Sequence, residues 1–279
     1  MSEKPTASDW AAARGEKWRA QLAGMEATLQ PVDEPLITAL RLDAPYRIAE
    51  VGCGGGATTR EIVRRAPAGS VVHGFDIAPG LVEIARKRAP ADARDLLFAV
   101  ADMAKAAPEQ PYDRLVSRFG IMFFDDAPAA FANLSRWLGP RGRFAFAAWG
   151  APAENVWLTG ARDVVARIVE VPQTDPNAPG PFRYANPDTL LALLTGAGFS
   201  EVAMQPWRGT LPIGGNLSPA EAAQFAIAAF SSFDELLANA GDAAIAEARQ
   251  ALTTHFARHQ SDNVIRMNAY VQIFTGTKL

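Results

Sequence analysis

Glu50-Val51-Gly52-Cys53-Gly54-Gly55-Gly56-Ala57 is the stretch whose reading decides the fold. It follows a short apolar run, Tyr46–Val51, which reads as a strand, and it opens Ala57–Ala66, which reads as a helix. Glycines allow positive φ and let a ligand approach the backbone closely. A helix N-terminus adds free N–H groups and partial positive charge, which suit an anionic ligand. A tight strand-to-helix turn needs one or two glycines; four in the five positions 52–56 point to a binding loop.

Outward from the loop, strands and helices alternate. Ser70–Phe75, Asp95–Ala101, Asp113–Phe119 and Arg143–Trp149 read as strands. Pro79–Ala89 and Ala127–Leu138 read as helices, the second stopped by Gly139-Pro140. This order predicts an α/β fold, a mostly parallel sheet with helices on both faces that binds ligands at the carboxyl ends of its strands. Toward the N-terminus, residues 8–29 read as a helix capped by Ser8 or Asp9. Trp10, Trp18, Leu22, Met25 and Leu29 form its apolar stripe, and Gly15 and Gly24 weaken it. A short helix with Leu36, Ile37 and Leu40 follows.

The second half is less regular. A helix is expected over Trp157–Val171, then a proline-rich stretch with Pro172, Pro176, Pro179 and Pro181, too long for a simple connection. Pro187–Ala197 reads as a helix, Phe199–Trp207 and Ile265–Thr275 as strands, and 218–239 and 242–260 as alanine-rich helices. The expected organisation is one domain over 1–279. It comprises an N-terminal helical lid (1–43), a binding core (44–149) and two helical insertions covering the sheet (150–185 and 208–264).

The 279 residues are 49% hydrophobic and 20% charged, which suits a globular core and argues against disorder. No charge-free run reaches the ~18 residues of a membrane helix. Met1–Trp10 is polar where a signal peptide is apolar, so a cytoplasmic protein without membrane contact is expected. A net charge of −3 lacks the field of a nucleic-acid binder. Cys53 is the single cysteine and excludes an intrachain disulfide, while His73, His255 and His259 are the only histidines.

Four further features appear in order. Asp76, in His73-Gly74-Phe75-Asp76-Ile77, ends the second strand and is placed to accept ribose hydroxyls. Asp102-Met103 follows the third strand. Tyr112 to Gly120 spans the fourth. Leu134-x-x-Trp137-Leu138-x-Pro140-x-Gly142-Arg143-Phe144 forms a turn into the fifth. With Glu50-x-Gly52-x-Gly54-x-Gly56, these resemble the motifs of the class I S-adenosylmethionine-dependent methyltransferases. The ubiquinone/menaquinone C-methyltransferase-like small-molecule branch is nearest, and Arg141 stands where that turn usually has a glycine. The resemblance covers residues 46–149 and, through Ala197-Gly198-Phe199, part of 185–207. It implies a Rossmann-like seven-stranded sheet with an antiparallel last strand, and S-adenosyl-L-methionine as cofactor. Glu50 would lie near the methionine end, with Gly52, Cys53 and Gly54 along the loop. Asp76 would hold the ribose, and Ile77, Asp102 and Met103 the adenine. Ser117 and Arg118, where the fourth strand faces the cofactor, would offer their backbone to the ammonium, with Phe119 beside them.

The reaction so implied is in-line attack on a sulfonium methyl group, for which the protein orients, desolvates and excludes water. Aromatic faces accommodate a sulfonium. Trp18 on the lid and Trp149 at the end of the fifth strand are the preferred aromatic contacts, with Phe123 beside the acceptor. Tyr184 is a candidate for lining the acceptor pocket and donating to an oxygen. His255 is a candidate base, against the alternative of a solvated helical face shared with His259. No His-Glu-x-x-His pattern is present, and no metal is expected. Asp125 and Asp126 read as helix N-caps. Apolar cover residues such as Trp157, Phe225 and Phe230 point to a small acceptor of apolar or aromatic character, and a monomer or a homodimer fits equally.

Two other readings fit part of the pattern. Gly52-x-Gly54-x-x-Ala57 with Asp76 also satisfies the fingerprint of an NAD(P)-dependent oxidoreductase, which leaves Asp102-Met103 and the Leu138-x-Pro140-x-Gly142 turn without a role. A non-catalytic cofactor-binding partner protein would keep the fold without turnover.

Overall fold

A computed structural model describes residues 9, 11–91, 93, 95–173, 175–230 and 233–279. Ser8 and Trp10, expected on the first helix, lie outside the described residues. Seven strands form one sheet in the order β3-β2-β1-β4-β5-β8-β6. They are β1 (Arg47–Val51), β2 (Val71–Asp76), β3 (Leu96–Val100), β4 (Tyr112–Arg118), β5 (Leu138–Trp149), β6 (Phe199–Pro212) and β8 (Val264–Lys278). The two-residue β7 (Gln260–Ser261) pairs with the start of β8. The ladders joining β3, β2, β1, β4 and β5 are parallel. Only β8 runs against its neighbours β5 and β6, as the resemblance implied.

The N-terminal segment forms α1 (Ala13–Ala20) and α2 (Leu22–Leu29), interrupted at Gln21, then α3 (Asp33–Ala39). The core contributes α4 (Ala57–Arg65), α5 (Pro79–Arg88) and α6 (Ala127–Trp137), and the second half α7 (Val156–Val165), α8 (Pro187–Gly196), α9 (Pro219–Ala229), α10 (Phe233–Ala240) and α11 (Asp242–Ala257). Asp126 caps α6, accepting from the Ala129 N–H at 3.0 Å. Asn186 caps α8, and Ser218 with Glu221 forms a capping box on α9.

Helices cover both faces of the sheet. The Arg143 Nε donates to the Ala39 carbonyl at 2.9 Å, which places α3 over one face of β5. Phe131 of α6 packs on Phe146, three positions along and therefore on the other face. The register carries this assignment across the sheet: Glu50 pairs with Val116, Val116 with Ala145 and Arg118 with Ala147. Glu50, Arg118 and Trp149 thus share the face covered by the N-terminal helices.

Three expected boundaries move. Strand β5 begins at Leu138 rather than Arg143, and the expected turn through Gly139-Pro140 becomes an irregularity in its ladder with β4, where Tyr112 pairs with Leu138 and Arg114 with Arg143. The helix begun at Val156 ends at Val165 rather than 171, and the chain runs on as turns and coil through the proline-rich stretch. Strand β6 extends to Pro212, paired with β8 as far as Arg266, so the first residues assigned to the second cover are sheet. The alternation Trp207, Gly209, Leu211 carries that ladder beyond the parallel strands' ends, and α9–α11 are inserted at its tip.

Candidate functional site

The glycine loop leaves β1 and enters α4 with Gly52, Gly54 and Gly56 all at positive φ. At Gly56 (φ +79°) a Cβ would stand 2.7 Å from the Phe98 ring, so both conformation and space require glycine. Gly54 differs: at φ +54° its missing Cβ would meet only the Trp18 Nε1, at 3.8 Å. The loop backbone is bare there, under an indole from α1. Leu22 and Glu26 of α2 approach Gly55 at 2.5 and 2.7 Å from its missing Cβ, so the N-terminal helices roof the loop.

Three acids stand at or just beyond the carboxyl ends of neighbouring strands. Asp76 ends β2. Its two carboxylate oxygens accept from the Gly54 N–H at 2.8 Å and the Ala78 N–H at 2.9 Å. Burial pushes its carboxyl up, and the backbone donors of Ala78, Gly54 and Ile77 pull it back. Asp102 follows β3, accepts from the Ala104 N–H at 3.0 Å and lies 3.3 Å from the Lys105 Nζ. Met103 beside it is buried. Ile77 is half-buried after β2.

Glu50 is the most deeply placed of these acids, at 1% exposure on β1. It accepts from the Thr59 hydroxyl on the first turn of α4. Burial raises its pKa to about 8, with Thr59 and Arg118 opposing and Asp33 and Asp76 adding to the rise. The carboxyl therefore holds its proton at neutral pH unless a cation joins it.

Asp33, at the start of α3, completes this group and carries no motif in the sequence. It is 3% exposed. Its Oδ1 accepts from the Thr58 hydroxyl at 2.8 Å and from the Arg118 Nη1 at 3.2 Å. Burial pushes its carboxyl up, and Arg118 and Thr58 hold it down. Only the tertiary fold brings position 33 to positions 58 and 118.

The side chains of other expected residues are held by local contacts. The Ser117 hydroxyl donates to the Val51 carbonyl at 2.8 Å and accepts from the Gly120 N–H at 3.2 Å, stitching the ends of β1 and β4 together. Cys53 packs into a small apolar cluster with Val82, Ala85 and Phe98, and its thiol pKa is raised well above the usual value by burial. Phe119, at φ +66°, stacks flat on Trp149 with centroids 4.0 Å apart and planes 8° apart. The stack continues from Trp149 to Trp157 (5.0 Å), to Phe230 (5.2 Å) and to Phe225 (5.6 Å). Phe225 in turn meets α2, where a Cβ on Gly24 would stand 2.6 Å from its ring. Phe123 lies half-buried just after β4.

Tyr184 and His255 stand apart from the loop. Tyr184 is fully buried beside Phe131, its hydroxyl has no hydrogen-bond partner among the described residues, and burial raises its pKa to about 12. His255 is half-buried. Its ring fills the space left by the absent side chain of Gly160 on α7, with its Nε2 buried and without a hydrogen-bond partner among the described residues. Burial lowers its pKa, as do His259, Arg258 and Arg167. Among the described residues no group of three or more His, Cys, Asp or Glu is placed to hold a metal ion, and no helix is long and apolar enough to cross a membrane.

Residues 48–142 match the family described as a methyltransferase domain. The chain is 30% identical over 167 residues to the demethylmenaquinone methyltransferase of Thermus thermophilus, covering 56% of this chain and 76% of that protein. The chain belongs to the class I S-adenosylmethionine-dependent methyltransferases. It is also 35% identical over 105 residues, 38% of each chain, to malonyl-[acyl-carrier protein] O-methyltransferase 1 of Ilyobacter polytropus. Of this and three other curated relatives the methyltransferase chain spans between 25% and 46% of the length. The fold is similar to that of magnesium protoporphyrin IX methyltransferase from Synechocystis, with a TM-score of 0.54 at 16% identity, covering 98% of this chain and 97% of that one.

Proposed function

We propose that this methyltransferase moves the methyl group of S-adenosyl-L-methionine to a small organic acceptor of apolar or aromatic character. One arrangement carries the reading. Glu50, Asp76 and Asp102 stand at the carboxyl ends of three adjacent parallel strands around a loop whose backbone lies open at Gly54. The donor set fits the cofactor. A carboxyl as buried as Glu50 gains from a cationic partner, and the cofactor carries an ammonium at its methionine end. Asp76, tied to the loop at Gly54, presents its oxygens where a ribose would lie. Asp102 and Met103 fit the adenine, and Trp18 closes over the loop.

When bound, S-adenosylmethionine supplies an electrophilic methyl group on a sulfonium. The chain's own part is to hold it in line with the acceptor and to exclude water. Phe119 stacked on Trp149 offers π density on the face shared with Glu50, suited to a sulfonium at ~0.5–2 kcal/mol per contact. The ring series through Trp157 to Phe230 and Phe225 leads from there into the covers, which favours an apolar or flat acceptor. The relatives' own acceptors differ, as their names state: malonyl-[acyl-carrier protein], demethylmenaquinone and trans-aconitate. Helices α1–α3 act as lid and α7 with α9–α11 as acceptor cover in this reading. The buried Tyr184 hydroxyl and the enclosed, unpartnered Nε2 of half-buried His255 favour no proton transfer by either, so the acceptor's own acidity is relied on.

Differential scanning fluorimetry tests the assignment. S-adenosylhomocysteine is expected to raise the melting temperature by several degrees and NADH to leave it unchanged. The reverse pattern refutes it.

A further inference from the structure

We propose that Asp33 is a positioning residue for cofactor recognition. From the start of lid helix α3 it holds the Arg118 guanidinium beside Glu50, so that Arg118 meets the carboxylate of the cofactor's amino-acid end while Glu50 meets its ammonium. The inference rests on the cofactor assignment above and goes beyond it, because it assigns the other charge of the zwitterion and gives the lid a part in reading it.

The register supplies the first step. Glu50 pairs with Val116, and Arg118 lies two positions further along the same strand, so both side chains rise from one face of the sheet. Hydrogen bonds supply the second. Asp33 Oδ1 takes one N–H of Arg118 at 3.2 Å and the Thr58 hydroxyl at 2.8 Å, while the neighbouring Thr59 hydroxyl donates to Glu50. The carboxyl of the lid, the first turn of α4 and the ends of β1 and β4 are thereby tied into one polar group.

Charge supplies the third step. The group holds two carboxyls and one guanidinium, all largely buried: the Arg118 and Asp33 side chains are 10% and 4% exposed. Buried charges are tolerated when paired, and each unpaired one is costly. A zwitterion adds one cation and one anion, so Glu50 gains a cation without leaving Arg118 in surplus. The Arg118 guanidinium gives one of its N–H donors to Asp33, and a guanidinium so held presents its other donors to a carboxylate in a fixed fork. Without Asp33 the long side chain would be free to choose other rotamers, and the entropy of ordering it would fall on binding.

The test is a pair of ligands that share the nucleoside and differ at the amino-acid end. By calorimetry, the wild-type chain is expected to bind S-adenosylhomocysteine more tightly than 5′-methylthioadenosine, which lacks the zwitterion. Asp33→Asn and Arg118→Met are each expected to weaken S-adenosylhomocysteine roughly 10- to 100-fold, the range for one charge-assisted hydrogen bond. Both are expected to leave 5′-methylthioadenosine within about threefold of wild type, and the double variant to be little worse than Arg118→Met alone. Equal loss for both ligands in Asp33→Asn is what a purely structural ion pair gives, and it overturns the proposal, as does unchanged affinity for both. If the wild-type chain binds neither ligand, it is the cofactor assignment that fails. Affinity for 5′-methylthioadenosine also reports that each variant keeps a folded site.

Discussion

Replacing Glu50 by glutamine is expected to make the ligand-free protein more stable at alkaline pH while weakening its hold on the cofactor. The carboxyl is buried on β1, and its folded-state pKa is about 8 against an ordinary 4.5. Below pH 4.5 the group is protonated whether the chain is folded or not, so wild type and Glu50→Gln should be similarly stable there. Between 4.5 and 8 the unfolded chain releases the proton and the folded chain keeps it. Wild-type stability then falls relative to the variant by about 1.4 kcal/mol per pH unit. Over that interval of about three and a half pH units the ceiling is about 5 kcal/mol, reached at pH 8 and above. The amide introduced by Glu50→Gln mimics the protonated acid and still accepts from Thr59, so it adds no comparable cost. Urea unfolding from pH 4 to 9 reads the difference directly. A parallel calorimetric titration should show S-adenosylhomocysteine binding to the variant roughly 10- to 100-fold more weakly, because a neutral amide does not pair with an ammonium. A variant no more stable than wild type at pH 8 refutes the argument that Glu50 is buried with too little opposing charge from the protein to keep it ionised.

Three other outcomes are expected. With its pKa raised to about 8, Glu50 is mostly protonated at pH 7, so binding S-adenosylhomocysteine should release a proton; calorimetry in two buffers of different ionisation enthalpy measures it, and the release should vanish in Glu50→Gln. Gly56→Ala should destabilise by roughly 2–4 kcal/mol in urea unfolding, since the new Cβ is both at φ +79° and 2.7 Å from Phe98. Tyr184→Phe should leave turnover unchanged and stability unchanged or about 1 kcal/mol higher, because it removes a buried hydroxyl without a partner among the described residues; a fall in kcat at constant stability would restore Tyr184 as a donor to the acceptor.

What was legible in the sequence is what local chemistry determines. Gly52, Gly54 and Gly56 announced positive φ, and all three adopt it. Asp126 announced a cap, and it accepts from Ala129 as a cap does. Strands β1 to β4 fall within a residue of where the apolar runs placed them, because each is a short run bounded by turn residues. Asp33 was illegible for the opposite reason. Its bonds reach 25 and 85 positions along the chain, and nothing next to it distinguishes it from a surface acid at a helix start. Cys53 shows a further limit: being inside the binding loop in sequence does not decide whether a side chain faces the ligand space or the core. Its side chain enters the apolar cluster beneath α5. The motif identified the family through residues that shape the backbone. The charges proposed to choose between the two ends of a zwitterion come from separate segments, β1, β4 and α3. As proposed, the carboxylate of α3 completes that set and ties the helix to recognition, because undocking α3 would leave Arg118 without the partner that holds its guanidinium.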